Sequence, residues 1–132
     1  MDLDHLEIAN IVQRARLVID NYGWTQRAYG NTDGQVCCIG ALIQSFDNNT
    51  PDYRAVKLNV EQTNTAIIAV GEQLHGNLND RYGASDHMPD GADVWYHHDL
   101  ISEWNDEPER SKQDIIDLLE QTIAYERELG GA

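Results

Sequence analysis

The stretch DHLEIANIVQRARLVIDNY, residues 4–22, decides the fold class. Ile8, Ile11, Val12, Ala15, Val18, Ile19 and Tyr22 recur at helical spacing, while Arg14, Arg16 and Asp20 fall elsewhere on the wheel. A period of that kind marks an amphipathic helix that must bury one face against other elements. Asp4 with Glu7 three residues on has the pattern of a capping box, and Gly23 supplies a stop.

Working outward, residues 24–36 gather turn formers (Gly30, Asn31, Asp33-Gly34) between Trp24, Tyr29 and Val36. A short β-hairpin turning at Asp33-Gly34 and a plain loop are both compatible with this stretch. Cys37 to Phe46 reads as a short apolar helix, with Cys37, Gly40 and Ala41 small enough for another helix to come close. Thr50-Pro51-Asp52 opens a further helical stretch, since Thr caps, Pro tolerates the first helical position and Asp suits the positive end of the dipole. Tyr53, Val56, Val60, Ile67, Val70 and Leu74 carry that stretch to about Gly76, with a second capping signal at Asn59 and Gln62 that allows one bent helix or two consecutive ones. Residues 77–89 are rich in Gly, Asp and Asn and read as a long exposed loop. A helix from about Asp93 to Trp104 places Val94, His97 or His98, Ile101 and Trp104 on one face. Ser111 caps a last helix with Asp114 three residues on, and Gly130 ends it. The expectation is a mainly α single domain over residues 1–132, a bundle of five or six helices with room for one short β-hairpin near 24–36. Its core should draw on Ile8, Val12, Ala15, Ile19, Trp24, Cys37, Ala41, Val60, Ile67, Val70, Ile101, Trp104, Ile116, Leu119 and Ile123.

The chain has 132 residues and a net charge of −14 from 23 acidic and 9 basic side chains. A length of this order suffices for one core without a metal or disulfide to hold it together. The charge argues against direct nucleic-acid binding, which draws its affinity from Lys and Arg neutralising phosphates. Membrane-surface binding through basic segments is disfavoured for the same reason. Cys37 and Cys38 are neighbours, an arrangement that ordinary disulfide geometry hardly allows, so a reduced, cytoplasmic protein is expected. The N-terminus carries neither a basic n-region nor an apolar run, so no signal or anchor is expected. Between Glu72 and Glu109 there are ten acidic residues and one basic residue, Arg81, so 38 residues carry −9 of the total.

The segment Trp104-Asn105-Asp106-Glu107-Pro108-Glu109-Arg110-Ser111 is the most specified in the chain. It reads as a helix-to-helix corner in which Trp104 is core, Asn-Asp makes a side-chain-capped turn and Arg110 pairs with Asp106 or Glu107. The functional alternative is a recognition corner, since Trp and Arg are favoured in binding hot spots. Gly23-Trp24-Thr25-Gln26, Cys37-Cys38-Ile39-Gly40-Ala41-Leu42 and this corner together resemble an uncharacterised family of small actinobacterial and actinophage proteins, with G-W-x-Q, C-x-x-G-A-L and W-N-D-x-P-x-R elements. In this chain Ser111 stands where that pattern has Thr, which keeps the capping hydroxyl. The resemblance implies a phage or actinobacterial cytosolic protein and brings no activity with it.

Two function classes follow from the residues. The first is a non-enzymatic acidic interaction protein that binds a basic protein partner, with Asp90, Asp93, Asp99, Glu103, Trp104, Asp106, Glu107 and Arg110 as candidate contacts. The second is a small enzyme. Cys37 near a helix N-terminus would be a thiol of lowered pKa, with His97 or His98 as base and Asn105 or Asp106 as the group orienting it. A metal-dependent variant would use His87, Asp93 and His97, the last two sharing one helical face; no H-E-x-x-H or Cys-x-x-Cys motif accompanies them. No cofactor is expected.

Overall fold

Helix α1, His5–Tyr22, forms where the apolar period demands it, and Asp4 Oδ1 accepts the Glu7 N–H at 2.8 Å to cap it. It ends at Gly23, whose φ of 95° only glycine adopts without strain and whose N–H bonds to the Ile19 carbonyl at 2.8 Å. The computed structural model describes residues 4–28, 30, 32–47, 61–82 and 94–131. Within them lie α2 (Cys38–Asp47), α3 (Glu61–Tyr82), α4 (Val94–Asn105) and α5 (Lys112–Leu129). The five helices form a compact bundle: α1 packs against α5 and α2, and α3 packs against α4 and α5. Among the described residues no helix is long and apolar enough to cross a membrane.

Ile8, Val12, Ala15 and Ile19 of α1, Ala41 and Leu42 of α2, Ile67 and Val70 of α3, Ile101 of α4 and Ile116, Leu119 and Ile123 of α5 meet in one core. Each of the Ile, Val and Leu side chains contributes roughly 1.5–3 kcal/mol by leaving water. The expected core residue Trp24 is only partly buried, packed on the rim, and Val60 lies outside the described residues. Tyr22, expected on the inward face, is 53% exposed and lies beside Gly34. Gly71 permits the close crossing of α3 and α4: a Cβ there would sit 2.4 Å from His97 Nδ1 and 2.6 Å from His97 Cβ.

The choice left open at 24–36 falls to the loop, and one expectation, the start of the loop after α3, needs correction. No hairpin forms among the described residues of 24–36; instead Val36 makes two isolated bridges, parallel with Trp24 and antiparallel with Gly30. Gly34, with a φ of 87°, supplies the left-handed residue of the turn between Gly30 and Val36, but the pairing does not extend into strands among the described residues. Helix α3 also continues past Gly76 to Tyr82, six residues into the expected loop. Tertiary contacts override the weak local signal there: Leu78 packs on the core, Gln73 donates to Asn77 at 3.1 Å, and Asn77 donates to Gln121 of α5 at 2.6 Å. The helix opening at Thr50 and its break near Asn59 fall on residues outside the described ones.

Candidate functional site

Asn105, the last residue of α4, is 1% exposed and joins three distant segments. Its Oδ1 accepts from Trp24 Nε1 at 2.9 Å and from the Cys38 N–H at 3.1 Å. Its Nδ2 donates to the Thr25 carbonyl at 3.3 Å and to Asp106 Oδ1 at 3.0 Å. An amide side chain has two acceptor and two donor positions, and all four are used. Gln26 extends the network, its Nε2 donating to the Asn105 and Glu107 carbonyls at 2.9 and 2.8 Å. The three sequence elements of residues 23–26, 37–42 and 104–111 thus meet at one point. The Asn-Asp pair does not cap its own turn as expected; Asn105 is spent on the loop after α1 and on the first turn of α2.

The corner continues in Arg110. Its guanidinium lies 4.2 Å from the Trp104 ring centroid, Nε donates to the Trp104 carbonyl at 2.9 Å, and Nη2 pairs with Glu107 at 2.5 Å. Ser111 and Asp114 complete a capping box at the start of α5. With Asp114 and Asp117, Arg110 and Trp104 line a cavity of about 420 Å³ between α3 and α5. Arg110 already has two carboxylate neighbours there, Glu107 and Asp114, so its charge is answered within the fold.

A second cavity, of about 540 Å³, opens on the other side of Asn105. Arg27 and Ala28 form one wall, Cys37 another, and α4 with its corner contributes His98, Ser102, Asn105 and Asp106. Its size falls within the range of small-molecule sites. Arg27 is the only non-glycine residue with positive φ among the described ones, at 67°. That conformation costs of order 1 kcal/mol and is held by the Arg27 N–H donating to Asp106 Oδ1 at 2.8 Å.

Cys37 precedes α2, and its Sγ accepts the Gly40 N–H at 3.3 Å. Helix-end hydrogen bonds pull its pKa down as the sequence suggests, yet burial outweighs them and pushes the thiol up from 9.0 to about 11. The expected activated thiolate is therefore reversed in sign. Burial pushes Cys38 higher still, and both cysteines are free. His98 and not His97 lines the cavity; His97 is buried against Gly71 of α3. The His98 Nδ1 lies 3.0 Å from Asp99 Oδ1, and since a carboxylate only accepts there, Nδ1 carries the proton. Neither Asn105 nor Asp106 bonds to either imidazole in the described network: Asn105 is spent on the loop, α2 and Asp106, and Asp106 Oδ1 is held by Arg27 and Asn105.

Of the candidate metal ligands, His87 and Asp93 lie outside the described residues, as does Asp90 among the candidate partner contacts. Among the described residues no three His, Cys, Asp or Glu side chains are arranged to hold a metal ion. Asp99 and Glu107 are exposed, with side chains 71% and 56% accessible, and Glu103 is exposed beside them, whereas Trp104 is buried. Trp95, 53% exposed and edge-on to His98 at 5.2 Å, was not among the sequence candidates. Its signal was present, since 95, 99 and 103 follow one another at four-residue steps off the buried face. Arg27 and Ser102 carried no comparable signal, because only the folded loop brings them together.

A family model described as a family of unknown function (DUF6197) matches residues 4–125. The chain belongs to this family. No curated protein and no solved structure matches it significantly. The matched span of DUF6197 includes both cavities and the whole Asn105 network.

Proposed function

We propose that this DUF6197 protein is a non-enzymatic interaction protein, encoded by a phage or an actinobacterium and acting in the host cytoplasm, that binds a basic protein through the outer face of α4. The observation carrying this reading is the exposed stripe Trp95, Asp99 and Glu103, an aromatic anchor followed by two carboxylates at helical spacing. Aromatic residues of this kind supply contact area at interfaces, and carboxylates steer a basic partner and set its orientation. The stripe lies within the 38 residues that hold −9 of the charge.

The thiol-enzyme alternative has one observation in its favour, that Cys37 and His98 share a cavity. Against it stand a thiol held near pKa 11 and an Asn105 with no hydrogen-bonding position left for an imidazole.

The test is retention of a basic protein from host lysate on the immobilised chain, compared with a Trp95→Ala variant and an Asp99→Lys/Glu103→Lys variant at roughly 20 and 500 mM salt. Retention of an identifiable basic protein at low salt, lost with either variant and at high salt, supports the reading. Equal retention by the charge-reversed variant, or no basic protein at low salt, refutes it.

A further inference from the structure

The 540 Å³ cavity carries Arg27 and Asp106 on one lining, and no ion pair joins them among the described residues. Arg27 makes no ion pair among the described residues, although the chain as a whole is strongly acidic. Asp106 is held by its Oδ1, which accepts from the Arg27 N–H and from Asn105 Nδ2, while Oδ2 has no hydrogen-bond partner in the described network. Its carboxylate is therefore oriented by Oδ1, with Oδ2 of this half-exposed residue open to solvent or to a ligand. The Ser102 hydroxyl lies on the same lining, and Ala28 and Cys37 supply apolar surface. Arg27, on this lining, has left-handed backbone with a φ of 67°. Strain of this kind persists only where the surroundings over-determine it, and it gathers at binding sites.

From this arrangement we infer that the cavity binds a small zwitterion bearing an apolar body, of free amino acid or dipeptide size, with its carboxylate at the Arg27 guanidinium and Ser102 hydroxyl and its ammonium at Asp106. A ligand with both charges answers both walls at once, because a carboxylate facing Arg27 alone would leave Asp106 unpaired beside it. Arg27 is exposed at the cavity mouth, where guanidinium and carboxylate form charge-assisted hydrogen bonds, stronger than neutral ones. The cavity reading does not depend on partner docking, since Arg27 lies off the Trp95, Asp99 and Glu103 stripe.

The probes are L-phenylalanine and the dipeptide Ala-Phe, each set against phenethylamine, which lacks the carboxylate, and 3-phenylpropionate, which lacks the ammonium. Calorimetric titration and thermal melting of the whole chain are read with each probe up to roughly 10 mM, so that binding appears as heat and as a raised Tm. At least one zwitterion is expected to bind about ten-fold or more tightly than both half-molecules, the loss that one missing charged contact produces. Arg27→Asn, a residue that tolerates positive φ, and Asp106→Asn, which keeps the Oδ1 acceptor, should each weaken binding by a similar factor. Arg127→Asn, which removes the same charge from α5, should leave binding unchanged. A preference for the amino acid or for the dipeptide distinguishes the two sources of the same head group. No binding by either zwitterion, equal binding by a half-molecule, or undiminished binding by Arg27→Asn with a wild-type melting temperature overturns the proposal.

Discussion

Replacing Asn105 by alanine removes one side chain and orphans two buried donors, Trp24 Nε1–H and the Cys38 N–H, along with the Thr25 carbonyl. An unsatisfied buried donor costs about 1–3 kcal/mol. The Cys38 N–H belongs to a residue with no exposed surface and stands at the upper end, whereas Trp24 is partly buried and stands at the lower. The sum is about 3–4 kcal/mol, a large share of the roughly 5–15 kcal/mol that holds a domain together. For a chain of this size the melting temperature should fall by roughly 10–15 °C. Urea unfolding followed by far-UV circular dichroism measures the free energy directly, with exposed Glu109→Ala at the same corner as a control expected within about 0.5 kcal/mol of wild type. Trp24→Phe deletes one of the orphaned donors in advance, so Asn105→Ala should cost about 1 kcal/mol less in that background. A cost below about 1 kcal/mol for Asn105→Ala, or strict additivity with Trp24→Phe, would refute the hub reading.

Two glycines of α3 should respond in opposite directions. Gly71→Ala puts a Cβ 2.6 Å from His97 Cβ, so overpacking of about 1–3 kcal/mol outweighs the roughly 1 kcal/mol gained in helix propensity, and Tm should fall. Gly76→Ala meets nothing within 4 Å and should raise stability by about 0.5–1 kcal/mol; a destabilised Gly76→Ala would show that α3 is not helical at that point. The buried thiols predict an alkaline weakness. Cys37 titrates at 9.0 when exposed and at about 11 in the fold, so the unfolded chain loses its proton first and stability falls as pH rises from 9 towards 11. Across that window Cys37 accounts for roughly 2–3 kcal/mol, which Cys37→Ala should abolish, and iodoacetamide at neutral pH should label Cys37 only after denaturation. Rapid labelling of the native protein would contradict the buried thiol and favour the enzyme reading.

The sequence by itself determined the elements whose cause is local. The apolar period of residues 8–19 had to bury one face, Asp4 and Ser111 had to cap, and Gly23 had to end α1, because each effect acts within a turn or two of chain. The corner at Trp104–Arg110 was also legible, with Trp104 in the core and Arg110 paired to a nearby carboxylate, although the choice of Glu107 over Asp106 came only with the fold. Tertiary structure alone decided the rest. Helix α3 runs past Gly76 because α5 and the core hold Asn77 and Leu78, and no local signal reports a partner over forty residues away. Cys37 lies at a helix N-terminus as its sequence suggests, but its pKa is set by burial, a property of everything packed around it. The cavity unites Arg27, Cys37, Ser102 and Asp106 because Asn105 fills all four of its hydrogen bonds at once, and that condition can be met only after the distant segments have met.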